Sequence, residues 1–134
     1  MRMQKPIAPI ENWPKLYHDI LKVKDPTNHV GICTLWTERG IVEKIVEKLP
    51  YNVIGNLYSA QGINAMIRNV MANPNIRTIV IWGSEMSLSG HSLLMFMKNG
   101  IDEKRKIIKG RGEIEAEIPD SVIQEFREKI EVVD

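Results

Sequence analysis

From residue 30 the chain repeats one pattern: a short unbroken apolar run, then a stretch whose apolar positions recur every three or four residues. Val30-Gly31-Ile32-Cys33-Thr34-Leu35-Trp36 is the first run. It has no polar alternation, which predicts a strand buried on both faces. Ile41, Val42, Ile45, Val46 and Leu49 follow at helical spacing, with Glu43, Lys44, Glu47 and Lys48 between them, and Pro50 ends the helix. Asn52 to Leu57 repeats the strand signal, and Ile63, Met66, Ile67, Val70 and Met71 the helical one, up to Asn73-Pro74-Asn75. Arg77 to Trp82 is a third strand and Gly90 to Lys98 a third helix, closed by Asn99-Gly100.

Three strand–helix alternations predict an α/β, three-layer Rossmann-like domain with a mainly parallel sheet and right-handed crossovers. Residues 1–11, with Pro6 and Pro9, read as an extended arm. Residues 12–29 read as an N-terminal helix, with Trp13, Leu16, Tyr17, Ile20 and Leu21 at helical spacing, and a turn at Asp25-Pro26-Thr27-Asn28. Residues 30–134 form the core of the domain. Within it, Lys106-Ile107-Ile108-Lys109 is a candidate fourth strand, and Glu113 to Ile118 alternates as an antiparallel edge strand would. Pro119 opens a last helix with Val122, Ile123, Phe126 and Ile130 inward.

The 134 residues suit a single domain, and 43% apolar with 26% charged residues is ordinary for a globular protein. A net charge of +1 argues against a dedicated nucleic-acid binder. One cysteine, Cys33, allows no internal disulfide and makes a reducing cytoplasm the expected compartment. With only three histidines beside it, no metal site is expected. No apolar run approaches the ~20 residues of a membrane span, and no secretory signal is expected at the start.

In an open α/β sheet, ligands bind beyond the carboxyl ends of the strands. That rule selects three loops: 34–39, 55–62 and 83–91. Their ligand-binding candidates are Thr34, Trp36 and Thr37; Asn56, Tyr58, Ser59 and Gly62; and Ser84, Ser87, Ser89 and Gly90. The last two loops open into helices, whose free N–H groups favour an electron-rich ligand group. Ser59 and Ser89 equally suit plain N-caps. Catalytic candidates are Cys33, as a thiol or a small buried hydrophobe, His91 as an acid/base, and Glu85, as an acceptor for paired N–H donors or a turn cap. Trp36 and Trp82 suit either a flat ring or the core. The methionines from Met66 to Met97 suit packing or an oligomer contact.

Cys33-Thr34-Leu35-Trp36-Thr37, Gly55-Asn56-Leu57-Tyr58-Ser59 with Gly62-Ile63, Arg68-Asn69, Asn73-Pro74-Asn75-Ile76-Arg77 and Gly83 through Gly90 together resemble the archaeal-type thymidylate synthase family of methanogens. The same frame is similar to the A subunit of tetrahydromethanopterin S-methyltransferase. The thymidylate synthase resemblance implies one-carbon metabolism: methyl transfer to dUMP from a reduced pterin, methylene-tetrahydromethanopterin or methylene-tetrahydrofolate. It also implies a nucleophilic cysteine beyond Asp134. The chain is then a ligand-binding part for a pterin or pyrimidine nucleotide, as a homo-oligomer or as partner of a catalytic subunit. The methyltransferase resemblance implies a cobamide-carrying, corrinoid-binding module with a histidine in the loop after the second strand as candidate cobalt ligand. The matching position here is Tyr58. A non-catalytic oligomerising domain is the third reading.

Overall fold

The computed structural model describes residues 13–14, 21–35, 39–83 and 88–134. The expected arm at 1–11 and most of the expected helix after it lie outside these residues. The strands are β1 (Lys22–Val23), β2 (Val30–Thr34), β3 (Val53–Asn56), β4 (Thr78–Trp82) and β5 (Glu131–Val133). The helices are α1 (Arg39–Val46), α2 (Ile63–Met71), α3 (Ser89–Asn99) and α4 (Asp120–Lys129). A 3₁₀ turn at Ala60–Gly62 leads into α2. The sheet order is β1-β3-β2-β4-β5. All pairings are parallel except that of β1 with β3. This is the expected α/β Rossmann-like fold.

The strand pattern sorts the side chains onto two faces. Cys33 on β2, Val53 on β3 and Ile79 and Ile81 on β4 face one way, against Ile63 and Ile67 of α2, Phe96 of α3 and Phe126 of α4. Ile32 and Ile54, one residue out of phase, face the other way, against Val42 and Val46 of α1. Val42 and Val46 are four apart and so share one stripe of a helix. Burying a side chain of this size contributes roughly 1.5–3 kcal/mol. On the first face, the Phe96 and Phe126 ring centroids are 6.1 Å apart. Arg127 Nε donates to the Phe96 carbonyl at 3.0 Å and so satisfies the end of α3.

Two expectations are corrected. The end of the expected N-terminal helix is instead β1, an antiparallel edge strand, whose Lys22 pairs with Glu43 of α1. Residues 106–109 and 113–118 are not sheet strands: their ladder pairing is confined to two isolated bridges, Lys106–Glu113 between the segments and Ile101–Ile107 back to the end of α3. A further strand, not signalled by the sequence, is Glu131–Val133 beside β4, and Ile130, the C-cap of α4, is buried as expected.

Arg105 shapes the 101–119 excursion. Its guanidinium donates to the carbonyls of Ile114, Glu115 and Ile118, and to Asp120 Oδ1 at 3.0 Å. Arg105 and Lys109 both take left-handed conformations, φ 67° and 64°, which break any strand through this segment.

At the amino end of the sheet, three asparagine amides converge on one carbonyl. Asn52, Asn73 and Asn75 donate to Pro26 O at 3.0, 2.9 and 3.2 Å. Asn73 Oδ1 accepts from the Asn75 N–H at 3.1 Å, and His29 Nδ1 lies 3.0 Å from Asn75 O. The Asn-Pro-Asn motif is therefore a fastener for the turn before β2, at the opposite end of the strands from the three candidate loops.

Candidate functional site

The order β3-β2-β4 reverses direction at β2, because the crossover from β2 runs to β3 and the next returns past it to β4. The carboxyl ends of these strands are where such a sheet parts. Register sets Asn56, Thr34 and Trp82 side by side in that row. Backbone bonds continue past it: Leu57 N–H donates to Thr34 O at 2.9 Å, and Leu35 N–H to Trp82 O at 3.0 Å.

Several candidate residues hold this edge together. Thr34 is fully buried, with Oγ1 3.3 Å from Gly55 O. Asn56 Nδ2 donates to Leu35 O at 3.0 Å. Ser89 is also fully buried, and its hydroxyl donates to Leu57 O at 2.7 Å instead of capping α3. The N-cap of α3 is Leu88, at φ 59°. Gly90 is buried in the first turn of α3. Gly62 packs closely on this edge: a Cβ there would come within 2.9 Å of Leu57 Cδ1 and displace that side-chain end.

Other candidates face solvent. Tyr58 and Ser59 are exposed, and Ser59 makes no side-chain cap bond to the 3₁₀ turn. His91 is exposed on the first turn of α3. Trp82 is 42% exposed, Tyr58 51% and Leu88 43%, so three large apolar side chains stand out at one edge of the sheet. Exposed apolar groups gathered in one region mark a binding surface more than single ones do. Trp36, Thr37, Ser84, Glu85 and Ser87 lie outside the described residues.

Beneath this edge the described residues bound a cavity of about 350 Å³ between the sheet and α2. Cys33, Val53 and Ile79 form its floor, Trp13 and Leu21 flank it, and Asn56, Tyr58 and Ser59 lie at its polar end. Trp13 Nε1 donates to Asn69 O at 2.7 Å. A Cβ on Gly55 would collide with the Leu21 side chain, so this glycine keeps Leu21 seated against β3. Cys33 is buried in this wall.

Sequence reasoning missed the segment that completes the edge. Lys109-Gly110-Arg111-Gly112 reaches back between the starts of α2 and α3. A Cβ on Gly112 would lie 2.8 Å from Ala60 Cβ, and one on Gly110 would lie 3.2 Å from Ser92 Cα. The Arg111 N–H donates to the buried Ser92 hydroxyl at 2.8 Å. The Gly-Arg-Gly spelling was the one available signal, because two glycines around a charge suit a tight tip pressed against backbone. Among the described residues no group of His, Cys, Asp and Glu gathers as a metal site would require. Nor is any described helix long and apolar enough to cross a membrane.

Residues 6–134 match the family of the A subunit of tetrahydromethanopterin S-methyltransferase. The A 1 subunit of that enzyme from Methanothermobacter marburgensis is 34% identical over 132 aligned positions, covering 94% of this chain and 54% of the relative. The A 2 subunit from Methanobrevibacter ruminantium is 32% identical, covering 100% of this chain and 69% of the relative. The A 2 subunit from Methanothermobacter thermautotrophicus is 31% identical, covering 98% and 72%. The chain thus spans about half the length of the first of these. These matches support the methyltransferase resemblance and lend no support to the thymidylate synthase one. With the match running over residues 6–134, the chain belongs to the family of tetrahydromethanopterin S-methyltransferase A subunits.

Proposed function

We propose that this chain is a ligand-holding module of a methyltransferase in one-carbon metabolism, working beside partner subunits, and that a broad ring ligand sits on its carboxyl edge. The observation that carries this is the trio of exposed Tyr58, Trp82 and Leu88 at the edge where an α/β sheet of this order takes its ligand. Apolar side chains on one edge suit the face of a flat ring, and the polar Ser59 and His91 beside them suit its substituents.

The two ring cofactors compatible with this reading differ in what they ask of the protein. A reduced pterin needs a flat apolar wall and a few donors and acceptors, which the edge has. A cobamide held through an imidazole of the loop after β3 does not fit. The loop after β3 reads Leu57-Tyr58-Ser59, and His29, the histidine nearest the strands in sequence, is engaged with Asn75 at the opposite end of the sheet. A corrinoid would have to rest on the edge without a nitrogen ligand from this loop.

Two titrations test the proposal. Calorimetry with tetrahydromethanopterin, and visible absorbance after gel filtration with cobinamide, a corrinoid lacking its own nitrogen base, are run on the whole chain. Binding of either supports the module, provided Tyr58→Ala weakens it. Binding of neither overturns it. A cobinamide spectrum shifted as by imidazole would point to His91, the exposed histidine of this edge, as the nitrogen ligand.

A further inference from the structure

We infer that Arg111 is the anion anchor of the carboxyl edge, holding a tetrahedral oxyanion, phosphate or sulfonate, carried by the ligand. The inference deepens the reading above and rests on that edge being the binding site.

The first observation is the state of the arginines. Arg68 pairs with Glu115 at 2.5 Å. Arg105 holds three carbonyls and Asp120, and Arg127 holds the last carbonyls of α3. Arg77 is also engaged. Arg111 is exposed, and among the described residues its guanidinium meets no carboxylate or carbonyl. An arginine in a solvated face is ordinary, but this one is mounted differently.

The second observation is that mounting. Lys109 is at φ 64° and Gly112 at φ 87°, and Gly110 leaves no room for a side chain against Ser92. The Arg111 N–H is tied to a hydroxyl inside the protein. A left-handed Lys109 costs about 1 kcal/mol or more, and such strain persists only where the surroundings enforce it. The result is a fixed tip whose guanidinium has no acceptor among the described residues. It is seated on Ser92 of α3 and on Ala60, the residue that follows Tyr58-Ser59 in the chain. Lys109 adds a second positive charge two residues away. A planar guanidinium offers paired N–H donors to two oxygens of one oxyanion, and a fixed base reduces the entropy lost on binding.

The test is a backbone NMR titration of the whole chain with inorganic phosphate and, separately, methanesulfonate. The expected result is saturable shifts confined to Ser59, Ala60 and residues 110–112 with at least one of them. The stronger of the two names the oxyanion. Arg111→Gln should weaken that binding by about tenfold or more, with Arg111→Lys in between and Lys98→Gln, at the far end of α3, unchanged. Unchanged affinity in Arg111→Gln overturns the inference, as do shifts spread over exposed lysines or binding of neither anion. An unchanged thermal midpoint shows that Arg111→Gln is folded. Anion binding without any ring ligand overturns only the proposed function. Ring-ligand binding that ignores Arg111 overturns only this inference.

Discussion

The Ser89 hydroxyl donates to the Leu57 carbonyl at 2.7 Å, and that one bond fastens the start of α3 to the loop after β3. Both residues are buried, so neither partner has water as a substitute. The carboxyl edge thereby becomes a connected rim, because Leu57 in turn bonds Thr34 and Leu35 bonds Trp82.

Removing the Ser89 hydroxyl should loosen that rim. Ser89→Ala is expected to cost about 1–3 kcal/mol, the penalty for stranding a buried acceptor. Urea unfolding measures it. A cost near zero would mean that Leu57 O is satisfied by another donor.

Leu88 couples stability to binding in opposite directions. It holds φ 59°, a conformation glycine adopts without strain, while its side chain stands 43% exposed at the edge. Leu88→Gly should stabilise the fold by about 1 kcal/mol and weaken any ring ligand that binds there. Thermal unfolding and the titrations above read the two effects separately.

The Arg105 fork cannot be replaced by a point charge. Arg105→Lys keeps the charge but cannot reach three carbonyls and Asp120 together. A loss of about 1–3 kcal/mol is expected, with amide-exchange protection falling first across 101–118. Uniform loss of protection across the sheet would argue against a local role.

Asp25 gives the molecule one defined acid response. The Thr27 hydroxyl, and then the Thr27 amide, hold its carboxyl below the usual carboxylate range. A carboxylate depressed in the folded state contributes fully above its unfolded pKa, and the contribution is lost as pH falls through the folded value. Thr27→Val should move the Asp25 titration upward towards the ordinary value, as followed by carboxyl NMR. Because Asp25 is fully exposed, the effect on overall stability should be small.

What the sequence disclosed depended on how local the cause was. β2, β3 and β4 are apolar runs bounded by turns, so periodicity alone locates them. β5 has three residues, and only its pairing with β4 makes it a strand. Lys106-Ile107-Ile108-Lys109 has a strand's composition, yet the Arg105 bonds to residues 9 to 15 positions away and two left-handed non-glycine residues fold it back. The carboxyl-edge rule named Tyr58, Ser59, Thr34 and Ser89 alike, and it could not foresee that the first two are exposed and the last two buried. Those two have the same chemistry and turn inward. Arg111 was invisible to it, because its segment reaches the edge from far downstream of the loop it joins.

The asparagine fastener has a consequence for how relatives of this chain should be compared. Asn-Pro-Asn-Ile-Arg is the kind of motif by which such chains are recognised, yet its amides serve Pro26 at the base of the sheet. Agreement there records a shared scaffold and is blind to cargo. Two proteins of this frame with the same base can diverge freely in what they carry. The positions that would register the divergence are those at the rim, 57–59 and 109–112.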